Sequence, residues 1–369
     1  HGAVNRFELL NRHLNRVVDI CKELGFKPIM WSDMFYRLGS KNNDYYDTDA
    51  VVPESAIAQI PDVALCYWDY YHTDERFYAG MLEGHRQMGK EVVFAGGIWT
   101  WSGILPHVRK TNATMYPALR ACLKAGIGTV LATSWGDDGC ETDYRLALNQ
   151  LPIYSEHVWL GENCTRAEVE RMGERLTGMS EACFNAMGAF YADDEDRRPG
   201  KGLFYCDPLY PLTEGLWDLT GYREGLEEGV KTLERHLDDS RCEYAWLAMR
   251  IALEKLNWVN ELRPAYLRGD KAVVLAMANE KLPAMRKLYV KMMSVWREQW
   301  ESGRKRNGWE TICARLGAVI ARLDDVQRIL LRWSDGTIER VEELDETPLP
   351  ASRLCGRQDY HTMSFPQFR

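Results

Sequence analysis

The first 160 residues carry four short apolar runs, each leading into a strand-end cluster of tryptophan and polar residues, and amphipathic stretches at helical spacing alternate with them. The apolar runs begin at residues 27 (KPIMW), 62 (DVALCYW), 91 (EVVFAG) and 129 (TVLATSW). Between them lie stretches of helical texture, DERFYAGMLEGHRQMGK and MYPALRACLKAG, and a further helix precedes the first run. In that leading segment, Asn5 to Leu24, the residues Phe7, Leu10, Leu14, Val17 or Val18 and Cys21 fall on one face before Gly25 stops it. Strands alternating with helices imply a parallel sheet with right-handed crossovers, and KPIMW reads as a buried strand.

After about residue 160 the texture changes to long amphipathic helices: TRAEVERMGERL, YREGLEEGVKTLERHL, CEYAWLAMRIALEKLNWVNEL, AVVLAMANEKLPAMRKLYVKMMSVWREQW and WETICARLGAVIARLDDVQRILLRW. This divides the chain into an α/β domain over residues 1–160 and an all-α domain over residues 161–369. The Pro- and Gly-rich segment DEDRRPGKGLFYCDPLYPLTEG reads as a long loop, and SDGTIERVEEL as one or two short strands before a tail. The Met-rich stretch 285–296 reads as packing rather than a binding surface.

Composition narrows the function. The 46 basic and 54 acidic residues are interspersed and leave a formal charge of −8, which is not the footprint of a nucleic-acid binder. No apolar run reaches the roughly 18 residues of a membrane span. Ten cysteines without C-x-x-C or paired spacing read as reduced thiols, and point to a cytoplasmic protein. The triplets at Asn112 and Asn163 match glycosylation sequons but carry little weight. The histidines at 13, 72, 85, 107, 157, 236 and 361 show no metal-ligand spacing, and no phosphate-binding glycine motif occurs, so neither a metal nor a cofactor is expected. His72 and His107 read as solvated loop residues.

The chemistry is concentrated where the four strands end. The segments are Trp31-Ser32-Asp33, Tyr67-Trp68-Asp69-Tyr70-Tyr71, Gly96-Gly97-Ile98-Trp99-Thr100-Trp101, and Ser134-Trp135-Gly136-Asp137-Asp138. In parallel βα proteins ligands bind at that edge. Aromatic plates for the apolar faces of sugars, beside carboxylates that accept hydrogen bonds from sugar hydroxyls, suit a carbohydrate pocket. The competing reading is that any one tryptophan caps the core and any one aspartate makes a turn. The set of candidate substrate-binding residues is Trp31, Trp68, Asp69, Tyr70, Trp99, Trp101, Trp135 and Asp137.

These segments, with NRFELLNRHLNRVVDICKELGFKPIMWSDMF, YWDYY, GGIWTWSG and TSWGDDGCE, resemble family 20 glycoside hydrolases, the β-N-acetylhexosaminidases, and most nearly the bacterial branch with a helical C-terminal domain. The resemblance implies the C-terminal half of a (β/α)8 TIM-type barrel followed by a helical domain. It implies that Trp31, Trp68 and Trp135 wall a terminal sugar and that Asp137 binds its 4- and 6-hydroxyls. It further implies a substrate-assisted retaining mechanism, one of the exceptions to the two-carboxylate scheme. The family's adjacent Asp-Glu pair is expected upstream of His1, so no catalytic residue is assigned within the chain and the isolated chain is expected to be inactive. The tyrosine that usually holds the acetamido oxygen has no counterpart between Gly96 and Ser102, where Tyr70 or Tyr71 is the substitute. The implied partners are an oligosaccharide or glycoconjugate substrate and either the missing half-barrel or a second copy of the chain. Two alternatives are a retaining glycosidase using carboxylates within the chain, Asp33 with Asp137 or Glu141, and a non-catalytic carbohydrate-binding module.

Overall fold

The computed structural model describes residues 5–137, 139–193, 199–209 and 219–346. The chain divides into two compact units. One comprises His1–Ile98, Thr111–Thr133 and Gln150–Met172; the other comprises Trp99–Lys110, Ser134–Asn149 and Gly173–Arg369. The segments that follow the third and fourth strands are thus counted with the helical unit.

The first unit is built on a four-stranded parallel sheet in the order β1 (Ile29–Trp31), β2 (Ala64–Trp68), β3 (Val92–Gly97) and β4 (Val130–Thr133). All four strands form where the apolar runs were expected. Strand β2 pairs with β1 through Ile29 opposite Ala64 and with β3 through Leu65 opposite Val92. The two central strands are buried on both faces, which is why they read as unbroken apolar runs. Gly96 on β3 is required by space: a Cβ there would lie 2.3 Å from the Met115 sulfur and 2.6 Å from the Tyr154 hydroxyl.

The edge strands differ from the sequence reading. KPIMW was expected to be buried, yet Ile29 is 51% exposed and Trp31 42%. A strand at an open edge has a neighbour on one side only, and β1 and β4 each pair with a single strand. The same applies to the Arg6–Glu23 helix, capped by the Asn5 side chain. Its inward face is Asn11, Leu14 and Val18, but a second apolar stripe of Leu9, Val17 and Ile20 faces solvent and continues into Leu24 and Phe26. In this unit, Leu131 on β4 and Val158 and Trp159 of the Pro152–Leu160 helix are also exposed.

The second unit is organised around the 28-residue helix Ser240–Leu267, capped by Asp239 and buried around most of its circumference. The helices Pro199–Tyr205, Leu219–Leu233 and Leu282–Gly303 pack on it, and Trp309–Ser334 packs on Leu282–Gly303. The helix expected from residue 272 runs on as anticipated, with one π turn over Met277–Lys281 just before Pro283. Proline has no N–H to continue the i→i−4 ladder, and the wider turn accommodates that loss.

Two expectations are corrected here. Within the segment taken as a long loop, Pro199–Tyr205 is a helix and every one of its residues is buried. Its proline sits at the first helical position, where a missing N–H costs nothing, and its glycine serves close packing. A Cβ on Gly200 would stand 2.4 Å from the Phe190 carbonyl. The SDGTIERVEEL segment forms a short Glu342–Asp345 helix instead of strands; the tail beyond residue 346 lies outside the described residues.

The apolar residues left exposed in the first unit predict that the purified 369-residue chain binds an apolar dye and self-associates as its concentration rises. Ile20→Lys with Trp159→Lys is expected to shift sedimentation toward monomer while changing stability by no more than about 0.5 kcal/mol. A wild-type chain that stays monomeric and dye-free at high concentration would contradict this.

Candidate functional site

In the first unit, the chain past β1 and β2 is fixed by two buried polar groups. Ser32 Oγ lies 2.8 Å from the Cys66 carbonyl and 2.7 Å from His85 Nε2, while His85 Nδ1 is 2.7 Å from the Met81 carbonyl. The His85 ring also stacks on Tyr36 at 4.5 Å. Burial pushes the His85 pKa down to about 4. The neutral ring therefore donates from Nδ1, and the single Ser32 hydroxyl proton serves either Nε2 or the Cys66 carbonyl. Asp33 follows as the first residue of the Asp33–Gly39 helix, where a carboxylate complements the helix dipole.

Asp69 is wholly buried, and its carboxylate accepts from four donors: Tyr67 Oη at 2.7 Å, His72 Nδ1 at 2.7 Å, Tyr71 N at 2.9 Å and His72 N at 3.4 Å. A carboxylate so engaged anchors the turn after β2 rather than standing open to a sugar hydroxyl. His72, expected to be a solvated loop residue, is half-buried and stacks on Phe77 at 3.8 Å. Above Asp69 sits an aromatic group in which Trp68 contacts Tyr46 and Tyr70, each at 5.4 Å between ring centroids, and Tyr71 at 6.3 Å. Tyr70 is buried, Trp68 half-buried and Tyr71 exposed.

Tyr46 belongs to this group, and the sequence reading missed it. Its hydroxyl is buried and has no hydrogen-bond partner among the described residues. Burial, then the nearby Asp69 charge, raises its pKa well above that of an ordinary phenol, so it stays a donor. It comes from the loop NNDYYDTD, whose residues carry no periodicity to draw attention to it.

In the second unit, the segment after β3 is packed. Trp99 and Trp101 are buried and stack on each other at 4.4 Å, and Lys110 Nζ lies 5.8 Å from the Trp99 ring. Trp99 has no surface open to solvent in this state, which favours a packing role over direct stacking on a sugar. His107, expected in solvent, is fully buried and lies flat on Tyr191 at 3.8 Å.

The segment after β4 has two halves of different character. Trp135 (39% exposed) and Asp137 are open to solvent, and the Trp135 carbonyl accepts from Thr100 Oγ1 at 2.8 Å. From Cys140 onward the chain is held tightly. Glu141 is 2% exposed, with Oε1 accepting from Tyr205 Oη at 2.6 Å and from Arg315 at 2.7 Å, and Oε2 lying 2.7 Å from Lys201 Nζ. All three partners are themselves buried. The Tyr205 pKa is driven well above its ordinary value by burial and then by the Glu141 charge. Glu141 is thus an ion-paired core residue, which removes it as a free catalytic carboxylate. Among the described residues no three metal-ligating side chains converge, and no helix is long and apolar enough to cross a membrane.

The structure therefore gathers Trp68, Asp69 and Tyr70 into one aromatic group of the first unit and leaves Trp31 exposed at its edge strand. It brings Trp99 and Trp101 together within the second unit, where Trp135 and Asp137 form a separate exposed segment.

Comparison with known proteins bears on the opposite end of the chain. Residues 187–362 match the family model of the Glycoside Hydrolase 20C C-terminal domain. No curated protein matches the chain.

Two stability outcomes follow from the buried ionisable groups. His85 has its proton affinity lowered by folding, so its contribution is fully present above pH 6.5 and is lost as pH falls toward 4. Over that window the loss is on the order of 3 kcal/mol. Chemical denaturation of His85→Gln should be flatter than wild type between pH 6.5 and 4; superimposable profiles would refute it. Glu141→Ala leaves two cations without their shared carboxylate and should cost about 3–5 kcal/mol. Arg76→Ala, at an exposed ion pair with Asp74, should leave stability nearly unchanged, because solvent screens that pair.

Proposed function

We propose that this protein, which carries the C-terminal domain of a family 20 glycoside hydrolase, is part of an enzyme that releases terminal N-acetylglucosamine or N-acetylgalactosamine from glycans by a substrate-assisted retaining mechanism. Two separate stretches of sequence support the reading. The strand-end motifs that resemble the family lie within residues 1–160, whereas the family match lies at 187–362. Neither stretch could borrow the likeness from the other.

On this reading the four-stranded sheet is the C-terminal half of a (β/α)8 barrel. The remaining strands come from upstream of His1, together with the Asp-Glu pair that supplies the general acid. The exposed apolar residues beside β1 and β4 are then the surfaces that those strands and helices cover. A second copy of the chain is the other candidate for that cover.

The observation that carries the sugar-binding role is the exposed Trp135-Gly136-Asp137 segment just past β4. Trp135 offers an aromatic face to the apolar side of a pyranose, and Asp137 offers charge-assisted acceptors to its distal hydroxyls. Within the first unit, Trp31 and Trp68 stand at the ends of β1 and β2, and the resemblance assigns both to the sugar. In the substrate-assisted scheme the 2-acetamido oxygen attacks the anomeric carbon while an acid protonates the leaving oxygen. The residues of this chain would hold the sugar so that its own nucleophile stays near attack geometry. Of the carboxylates in the alternative, Glu141 is disfavoured because two cations neutralise it, which leaves Asp33 and Asp137 to that reading.

Two outcomes test the proposal. The isolated 369-residue chain should show no turnover of aryl N-acetyl-β-glucosaminides above a heat-killed control, because loss of a general acid alone costs roughly 10²–10⁴ in rate. In the complete enzyme, Asp137→Asn should lower kcat/KM by about 1.5–3 kcal/mol for the intact sugar and by less for a 4-deoxy substrate. Hydrolysis by the isolated chain would transfer the chemistry to carboxylates within it. An equal loss on both substrates with a lowered Tm would make Asp137 a structural turn.

A further inference from the structure

We propose that the helical domain is the mould for the sugar-facing loop after β4, and that Glu141 is the positioning residue through which it acts; the sugar-facing part of this rests on the role proposed for Trp135 and Asp137. The loop is exposed at residues 134–137, while residues 140–145 are tied to the helices by several hydrogen bonds and ion pairs. Glu141 is locked by Lys201 and Tyr205 of the Pro199–Tyr205 helix and by Arg315 of the Trp309–Ser334 helix. Its carbonyl accepts from Tyr244 of the Ser240–Leu267 helix at 3.3 Å.

The neighbouring backbone is held with equal density. Arg304 donates to the Cys140 carbonyl at 2.7 Å and to the Thr142 carbonyl at 2.5 Å, with its guanidinium over the Tyr144 and Trp300 rings. Thr142 Oγ1 donates to the Gly103 carbonyl at 2.6 Å. Arg145 pairs with Asp143 and reaches the Gln299 carbonyl at 2.8 Å. Gly139 has φ +92°, and a Cβ there would lie 2.8 Å from the Arg315 guanidinium, so the cation is seated directly against the loop backbone.

Several partners converging from four helices on six consecutive residues are far more than a surface turn requires. They fix where the chain emerges two residues after Asp137. A side chain that must meet sugar hydroxyls within a few tenths of an ångström depends on such support. The helices thereby set the affinity for the sugar's distal end without touching it.

Amide hydrogen exchange on the 369-residue chain tests the mould directly, using Glu141→Gln, and Arg304→Met, which removes two backbone ties without stranding a buried anion. Exchange at residues 134–137 and 140–145 should rise about tenfold or more while the Ser240–Leu267 and Trp309–Ser334 helices stay protected. Unchanged exchange at 140–145, or equal loosening of every helix, would overturn the proposal. In the complete enzyme both variants should raise KM several-fold for the intact sugar, with a smaller change for a 4-deoxy sugar and little change in kcat, and Arg304→Lys should recover part of the loss. Asp137→Asn measured beside them separates two failures. If Asp137→Asn discriminates between the sugars and the other variants do not, the positioning role is wrong. If Asp137→Asn does not discriminate but the loop still loosens, Asp137 is not the sugar ligand and the mould stands.

Discussion

A carboxylate shielded from water is tenable only when its charge is met, and Glu141 is met by a lysine and an arginine that are as deeply buried as itself. The consequence is directional. Lys201 and Arg315 lie on helices more than 50 residues beyond the loop, so the loop cannot reach its conformation before those helices have assembled. This makes the all-α portion part of the apparatus around β4's loop and explains why Ser134–Asn149 is counted with it. Breaking such a cluster leaves a charge with neither water nor partner, which costs far more than the cluster contributes over an apolar packing of the same shape. Its value lies in specifying one geometry.

The sheet poses the opposite problem. Its two central strands are satisfied on both sides and both faces, while the outer two leave backbone groups and the side chains of Ile29, Trp31 and Leu131 without full cover. A helix with apolar stripes on two faces, as in Arg6–Glu23, belongs between two layers. The proposal that more barrel strands and helices complete this unit accounts for edge and helix together.

Much of this was legible in the sequence because alternation of period and burial writes itself into composition. The four strands, the helix from Asn5 and the five long helices after residue 160 all announced themselves through spacing. Three things did not. The Pro199–Tyr205 helix hid behind proline and glycine, which signal a turn when exposed but here serve an N1 position and a close approach to Phe190. Edge exposure of β1 cannot be seen in an apolar run, since a strand covered by a neighbour and one awaiting cover have the same residues. The roles of acidic residues at strand ends depended wholly on partners distant in sequence: Asp69 is consumed by Tyr67, Tyr71 and His72, and Glu141 by Lys201, Tyr205 and Arg315. Only Asp137 among these three remains open to solvent. Tyr46 was invisible for the same reason, because an orphan hydroxyl is a property of its surroundings.

In the proposed function the exposed Trp135-Gly136-Asp137 segment grips the distal face of a terminal N-acetylated amino sugar. It is tested most directly by a crystal structure of the complete enzyme bound to N-acetylglucosamine. The pyranose ring should stack on the Trp135 indole, with an Asp137 carboxylate oxygen within about 3 Å of the 4- or 6-hydroxyl. A sugar bound elsewhere, with Trp135 and Asp137 still facing solvent, would contradict it.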